Sequence, residues 1–344
     1  MRRPALASLV LVCGLAAACA GATHPSAHTS PPHADPQTPA TSPSAAPRVY
    51  PLTGVAVTSP QRAARPALSV KIDNVGDALP QSGLNQADLV TDVLVEGGLT
   101  RLMATYQSHD GPLIGPIRSA RPVDADLLRE LAGGIFAYSG AAPGEIAPSI
   151  DHSTALLISH DRDPRWFFLA PDRAAPHNVY SSTSRLYAAG HALRPKLSSP
   201  PQLFRYSSKV PHTAKAHSVR LAFSGVSSSA WTWTGHDYVR TQNGAPDRLA
   251  DGSRITTTNV VVLSVTWHPT HIIDDAGNAD PYVIVTGSGR AWVFRDGRVV
   301  RGRWTRPTYR APVKITDPAG HVIALRPGRT WLELEPSAFA PAYR

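Results

Sequence analysis

Most apolar runs in the chain are short, and several alternate with polar residues, as β-strands do. In the first half, Ala67–Ile72 and Val90–Val95 read as buried strands, and Thr100–Tyr106 alternates between two faces. The two glycines that follow Glu96 predict a hairpin connection between the second and third of these strands. Such a hairpin would bring Glu96 close to Arg101 at one end of a sheet.

A helix is predicted to begin at Pro122, because proline suits the first helical position. Arg118, Ser119 and Arg121 come just before it, and the free N–H groups of a helix N-terminus attract anions. Two arginines there would bind a carboxylate or phosphate group well. They could equally pair with a carboxylate of the chain itself, such as Glu96 or Asp92. The sequence leaves both alternatives open.

The second half has short strand patterns at regular spacing, which indicates a β-rich region. Asp296-Gly297 is a strong hairpin signal between two of these strands. The predicted strands are Ser218–Phe223, Ala230–Gly235, Asp237–Gln242, Asn259–Trp267, Pro281–Thr286, Gly289–Phe294, Arg298–Trp304 and Trp331–Leu334. The predicted fold class is α+β, with an N-terminal mixed α/β sheet domain followed by a smaller, mostly β C-terminal domain.

Five parts of the chain are predicted from these patterns. They are a signal peptide (1–19), a disordered Pro/Ser/Thr-rich tether (20–47), an N-terminal α/β domain (48–199), a linker (200–217) and a β-rich C-terminal domain (218–344). The tether has no apolar periodicity, so it cannot bury enough surface to fold.

The first residues have the organisation of a secretion signal: two arginines, a short apolar run, and small residues up to Cys19. This segment resembles a bacterial lipoprotein signal, whose cleavage leaves an acylated cysteine as the first residue. Both cysteines of the chain lie in this region, so lipidation would explain the one that remains. We expect attachment to the extracytoplasmic face of the membrane through lipidated Cys19, or secretion if Cys19 is not lipidated.

The formal net charge of the 344-residue chain is +9. A basic surface often binds nucleic acid, but no nucleic-acid partner is expected outside the membrane. Anionic wall polymers, phospholipid head groups and peptide carboxylates are better candidates. Arginine-rich codon usage would explain the charge equally well.

Short motifs extend along nearly all of the predicted mature chain. They are Lys71–Asn74 (KIDN), Pro80–Leu84 (PQSGL), Gln86–Asp88 (QAD), Val95–Arg101 (VEGGLTR), Gly115–Arg121 (GPIRSAR), Ala175–Tyr180 (APHNVY), Gly289–Gly297 (GRAWVFRDG) and Pro327–Trp331 (PGRTW). Together they resemble the YerB-like lipoproteins, known as the DUF3048 family. The resemblance implies a lipoprotein signal, a tether and two domains, but no reaction, because none is established for the family. The polar positions that match the family motifs are Asp73, Gln81, Asp88, Glu96, Arg101, Arg118, Ser119, Arg121, His177 and Asn178.

The candidate site residues belong to these matched positions. The catalytic candidates are Glu96, Asp73 and His177, and the ligand-binding candidates are Arg101, Arg118, Ser119, Arg121, Asn178 and Gln81. Glu96 or Asp73 would serve as general acid or base, and His177 would carry a proton. A glutamate beside arginines should have a lowered pKa, which suits a base better than an acid.

Several familiar site signatures are missing from the sequence. It contains no Gly-x-Ser-x-Gly, HExxH or paired CxxC motif, so no metal and no cofactor is expected. The pair His268 and His271 would supply two metal ligands at most. The tryptophans of the second half could form an exposed row that grips glycans, although a place in the core is the more common role.

Two functions follow from these observations. The leading hypothesis is a membrane-anchored cell-envelope lipoprotein that binds or scaffolds an anionic component through an Arg-rich cleft. Its candidate partners are peptidoglycan, an anionic wall polymer and wall-synthesis proteins. The alternative is an envelope hydrolase or transferase that acts on peptidoglycan or on another glycan or peptide, so the sequence leaves open whether the chain is an enzyme.

Overall fold

The computed structural model describes residues 48–141, 146–274 and 277–344. The predicted signal peptide, the tether and Cys19 lie outside this part of the chain. From Pro47 onward the chain forms one compact unit. Within the described residues, no helix has both the length and the apolar character needed to cross a membrane.

The first half contains the predicted strands and the predicted helix at Pro122. Its elements are α1 (Pro60–Ala64), β1 (Leu68–Asp73), β2 (Leu89–Leu94), β3 (Thr100–Tyr106), α2 (Pro122–Leu128), β4 (Ile135–Tyr138), α3 (Ile146–Asp151), β5 (Leu156–Ser159), β6 (Phe168–Leu169), β7 (Val179–Tyr180) and α4 (Thr183–Leu193). Single 3₁₀ turns lie at Gly76–Ala78, Leu84–Gln86, Glu96–Gly98, Arg129–Leu131 and Pro164–Trp166. The start of α2 is fixed by the Asp124 carboxylate, which accepts from the backbone N–H of Arg121 at 2.7 Å.

The second half is built almost entirely of strands, as predicted. They are β8 (Ser218–Ala222), β9 (Ser228–Trp233), β10 (Tyr238–Gln242), β11 (Ala245–Pro246), β12 (Thr256–Thr257), β13 (Asn259–Ile273), β14 (Ala279–Ile284), β15 (Gly287–Arg295), β16 (Arg298–Arg306), β17 (Lys314–Thr316), β18 (Thr330–Pro336) and β19 (Ala342–Tyr343). The hairpin at Asp296-Gly297 is confirmed: both residues have positive φ, 53° and 67°, as a tight two-residue turn requires.

Strands from both halves join in one mixed eleven-stranded sheet. Its order is β17-β16-β15-β13-β18-β2-β3-β1-β4-β5, and β14 pairs with the far end of β13. The halves meet where β18 lies parallel to β2, with Thr330–Glu333 paired to Leu89–Asp92. A six-stranded sheet has the order β11-β10-β9-β8-β19 with β12 on β10, and β6 pairs with β7. The fold class is therefore α+β, as predicted.

The large sheet is buried on both faces. One face packs against α2, through side chains such as Val123 and Leu127. The other face packs against the second sheet and α4, which contribute Trp231 and Leu186 to a second buried cluster. Burial on both faces explains why β1, β2 and β3 are buried along their whole lengths.

Most tryptophans of the second half belong to the core. Trp231, Trp292, Trp304 and Trp331 are buried, which confirms the core interpretation for these four. Trp267 is 45% exposed, so it lies on the surface alone rather than in an aromatic row.

The segment predicted as a linker packs closely against the rest of the chain. Leu203 and Phe204 are buried, and the Tyr206 hydroxyl donates to the Leu52 carbonyl at 2.6 Å. Because these apolar side chains are covered, residues 200–217 contribute to the core. The domain division at this segment stays a prediction.

Candidate functional site

The ends of three neighbouring strands bring the predicted site residues together. Asp73 ends β1 and is directly paired with Arg101, near the start of β3. Glu96 lies in the short turn between β2 and β3, as the hairpin prediction required. Arg118 and Arg121 precede α2, which begins beside the same end of the sheet.

Glu96 is bound by two arginines. Its Oε1 accepts from Arg101 Nη2 at 2.7 Å and from Arg121 Nη2, and its Oε2 accepts from Arg121 Nε at 2.7 Å. The glutamate is only 8% exposed, and burial alone would raise its pKa. The two guanidinium groups outweigh that effect and lower the pKa of Glu96 to about 2. Glu96 therefore remains a carboxylate at neutral pH and is a weak base.

Asp73 forms a second group with Arg118 and His177. Its Oδ2 lies 3.0 Å from Arg118 Nε and 2.9 Å from His177 Nδ1. Its Oδ1 accepts from the backbone N–H of Asn74 at 2.9 Å. The Asp73 side chain is 1% exposed, whereas those of Arg118 and His177 are 26% and 15% exposed. The carboxylate is thus covered by two cationic or ionisable side chains that reach solvent.

Of the remaining ligand-binding candidates, Gln81 is buried, whereas Ser119 and Asn178 are partly exposed. Gln81 is buried, and its amide nitrogen donates to the Asp73 carbonyl at 3.1 Å, so it supports the strand end. Ser119 is partly exposed, and its carbonyl accepts from Arg101 Nη1 at 3.3 Å. Gly140 contacts Ser119 closely: a Cβ on this residue, whose φ is +91°, would lie 2.5 Å from Ser119 Oγ. Asn178 is also partly exposed, beside His177.

Asp280 is a member of the site that the sequence analysis missed. It comes from β14 in the second half, and its Oδ2 lies 3.3 Å from Arg121 Nε. The residue is 3% exposed, and neither carboxylate oxygen has a hydrogen-bond partner among the described residues. Burial raises the pKa of Asp280 to about 7, although Arg121 opposes the shift. Only its position before Pro281, at the start of a strand, could have drawn attention to it.

A buried lysine lies behind the arginines and was also missed. Lys71 Nζ donates to Asp124 Oδ1 at 2.7 Å, and both side chains are 0% exposed. Burial lowers the pKa of Lys71, while Asp124 acts in the opposite direction. The pair is electrically balanced and connects β1 to the first turn of α2.

A separate charged cluster lies between the two sheets, centred on Arg240. Its Nη2 donates to Asp92 Oδ2 at 2.7 Å, its Nη1 donates to Asp247, and its guanidinium lies 4.8 Å from the Trp331 ring centre. Burial raises the pKa of neighbouring Glu333 to about 8. The suggested pairing of Asp92 with Arg118 or Arg121 is therefore wrong. Alternation along β2 turns Asp92 toward the second sheet instead.

Across residues 48–141, 146–274 and 277–344, no group of three His, Cys, Asp or Glu side chains is arranged to hold a metal ion. His268 stacks against Tyr282, with 5.4 Å between ring centres.

The charges of the site do not balance. Arg101, Arg118 and Arg121 contribute three positive charges, and Asp73 and Glu96 contribute two negative charges. Burial raises the pKa of Asp280 to about 7, so it compensates less of this charge at neutral pH than an ordinary aspartate would. Arg118 is the most exposed of the three arginines, so it is the one that a solvent anion can reach.

Comparisons with known proteins were made for the whole chain. The family model described as "Protein of unknown function (DUF3048) N-terminal domain" matches residues 52–196, and the corresponding C-terminal domain matches residues 219–332. The "Putative lipoprotein YerB" of Bacillus subtilis (strain 168) is 28% identical over 297 residues, which cover 83% of this chain and 86% of the relative. The crystal structure of the YerB protein from Bacillus subtilis matches with a TM-score of 0.74 and 26% identity, covering 86% of this chain and 99% of that one.

The matched ranges divide the site between them. The first contains Asp73, Glu96, Arg118 and His177, and the second contains Asp280. The site therefore takes its three arginines from the first matched range and Asp280 from the second.

Proposed function

We propose that this chain, which belongs to the DUF3048 family, is a cell-envelope lipoprotein that binds an anionic group at Arg118. The anchor would be a lipidated Cys19 at the extracytoplasmic face of the membrane. Two observations support that location: the sequence pattern that ends at Cys19, and a relative that is named a lipoprotein.

The partial exposure of Arg118, at the outer side of the buried Asp73 carboxylate, is the observation that carries the binding proposal. Arg101 and Arg121 are buried and engaged by Glu96, so they can supply only a background field. Arg118 is partly exposed, and its one carboxylate partner, Asp73, is shared with His177. A ligand carboxylate or phosphate could therefore bind Arg118 from solvent without displacing a buried group.

Because Arg101 and Arg121 are buried and Arg118 is partly exposed, the proposed binding surface is smaller than the expected Arg-rich cleft and is centred on Arg118. Arg118 would hold the anion, while Ser119 and Asn178 offer hydrogen bonds beside it. Peptide carboxylates of peptidoglycan and phosphate groups of wall polymers both have the required chemistry.

A second candidate function, envelope hydrolase or transferase, is favoured by one specific observation. Asp280 and Glu96 flank Arg121, and their pKa values are about 7 and about 2. Two carboxyl groups with pKa values so far apart can act as acid and base in one reaction. Asp280 suits proton transfer at neutral pH better than Glu96, whose pKa the two arginines lower to about 2. Under this function, Asp280→Asn abolishes turnover of muropeptides, and retained turnover would exclude it.

Calorimetric titration of the purified protein tests the binding proposal. The ligands are acetate, inorganic phosphate, muropeptides and wall-polymer fragments. For any ligand that binds, Arg118→Ala should weaken affinity by about 10- to 100-fold, the usual contribution of a charge-assisted hydrogen bond. Arg194→Ala is the matched control, because Arg194 is exposed and its guanidinium donates to the Thr154 carbonyl at 3.5 Å rather than to a residue of the site. Equal affinities for Arg118→Ala and wild type would contradict the proposal.

A further inference from the structure

Four exposed cations share one face of the large sheet at its β17 edge. Arg290 on β15 is directly opposite Arg303 on β16, and Lys314 on β17 is opposite Thr305. Arg301 lies two residues before Arg303, so the alternation of side chains places it on the same face. All four cations are exposed. They form what we call the basic face: Arg290, Arg301, Arg303 and Lys314.

The cations of the basic face lack ion-pair partners among the described residues, although the Glu335 carboxyl interacts electrostatically with Arg290. Arg290 lies over the Trp292 ring at 5.3 Å, and Arg303 Nη2 donates to Ser288 Oγ at 3.2 Å. Glu335 is near Arg290, but it is buried, and its burial raises its pKa to about 7. The positive charge of this face is therefore open to solvent.

An apolar groove adjoins the basic face. Its volume is about 440 Å³, and its apolar walls include Leu203, Phe204, Val313 and Ile323. Lys314 and Thr305 line the groove and also lie in the strand rows of the basic face. Val322, at the same groove, is 39% exposed. The exposed apolar surface beside the basic face is therefore that of Val322, because Leu203, Phe204, Val313 and Ile323 are at most 8% exposed.

We infer that the basic face and this groove together dock on the anionic head groups of a phospholipid bilayer. Peripheral membrane proteins combine basic residues, which attract anionic lipid, with apolar side chains that enter the interface. The cations extend across three neighbouring strands rather than along one line, and an apolar surface adjoins them. Both features fit a bilayer better than a linear polyanion. The inference rests on this face alone and requires neither Arg118 nor the lipid anchor.

The four cations could instead protect the edge of the large sheet against pairing with other chains. Charged side chains near a sheet edge discourage pairing with other chains. That role requires no lipid affinity, so a binding measurement separates the two explanations.

Vesicle co-sedimentation tests the docking. The mature chain would be used without residues 1–18 and with Cys19→Ser, so that neither an acyl chain nor the apolar signal run contributes, and the vesicles would be phosphatidylcholine with or without phosphatidylglycerol. We expect binding only to the vesicles that contain phosphatidylglycerol, with loss at high salt. Arg301→Glu with Arg303→Glu should weaken the partitioning by more than about tenfold. Arg194→Glu with Lys196→Glu makes the same change in net charge at another exposed site and should bind as wild type does.

Three results would overturn the inference. They are no binding of the wild-type chain to the anionic vesicles, equal binding by the two charge-reversal variants, and binding to soluble polyphosphate without binding to vesicles. If the reversal variant fails to fold, Arg301→Gln with Arg303→Gln takes its place. Val322→Ser adds a further test, because it should weaken vesicle binding while leaving polyphosphate binding unchanged.

Discussion

Two buried arginine clusters in this molecule have similar composition but different access to solvent. The cluster of Arg240 lies between the two sheets, and the Arg240 side chain is 1% exposed. The cluster of Glu96 lies at the end of the large sheet and continues outward to Arg118, which is 26% exposed. The first connects the sheets, whereas the second has a side from which a ligand could enter.

The difference shows which features separate architecture from a candidate site. Ion pairing and burial occur in both clusters, so neither property identifies a site by itself. The outer cluster also has an arginine, Arg118, whose side chain is 26% exposed, and a carboxyl, Asp280, whose pKa burial raises to about 7. The solvent access of Arg118 and the raised pKa of Asp280 therefore distinguish the candidate site from the structural cluster.

The largest expected change in stability concerns the cluster of Arg240, between the two sheets. Arg240→Met should lower the free energy of unfolding by ~3–5 kcal/mol, because it leaves Asp92 and Asp247 buried without their partner. Urea denaturation measures the change. Arg248→Met, at an exposed position nearby in sequence, should stay within about 0.5 kcal/mol of wild type. A loss below about 1 kcal/mol for Arg240→Met would contradict the architectural role.

The next effect concerns the carboxylate of the outer cluster. Glu96→Gln should lower the free energy of unfolding by ~2–3 kcal/mol, since it weakens charge-assisted hydrogen bonds to two buried arginines. Asp110→Asn is a matched control in the same denaturation experiment. Asp110 also binds two arginines, at 2.6 Å each, but its side chain is 45% exposed. It should therefore lose only about 0–1 kcal/mol, and equal losses would show that burial does not matter here.

The pH dependence of the free energy of unfolding reports on the Asp280 carboxyl. Its pKa is raised from 3.8 to about 7, so between these values the unfolded chain ionises first. Its contribution to stability is complete below about pH 4, falls as the pH rises toward 7, and is then constant. Asp280→Asn removes this fall, so its stability relative to wild type should rise by on the order of 4 kcal/mol between pH 4 and pH 8.

Thermal unfolding of both proteins across this pH range provides the measurement. Glu333 and Glu335 also have raised pKa values, but they are present in both proteins, so the difference reports on Asp280. If the difference in stability between wild type and Asp280→Asn stays constant between pH 4 and 8, Asp280 is ionised throughout this range in the folded protein.

The smallest expected change in stability concerns Arg118, the partly exposed arginine of the outer cluster. Arg118→Ala should change the free energy of unfolding by no more than about 1 kcal/mol, because Arg118 is partly exposed and the buried Asp73 keeps His177 and the Asn74 N–H as partners. Chemical denaturation measures this change. A loss comparable to that of Arg240→Met would place Arg118 among the structural residues and remove the contrast between the clusters.

The sequence predicts local features of this fold well. The alternation before and after the two glycines places Glu96 beside Arg101, and Pro122 marks the start of α2. These features depend on residues that are close in sequence, whose spacing is enough to predict their contacts.

Contacts between the halves could not be predicted in this way. Asp280 reaches Arg121 only because β14 folds back beside the start of α2, and Asp92 meets Arg240 only because the second sheet covers β2. Both contacts depend on β18 inserting beside β2, and no local pattern specifies that parallel pairing. The sequence analysis therefore found the near half of the site and missed Asp280.

The most direct test of the account compares both clusters in one experiment. Side-chain Nε–H signals of Arg118 and Arg240 would be followed by NMR during titration with inorganic phosphate, after assignment by single substitutions. The account predicts a saturable shift of the Arg118 signal and none of the Arg240 signal. An Arg118 signal that does not move, or signals that move together, would contradict the claim that the outer cluster is a binding site.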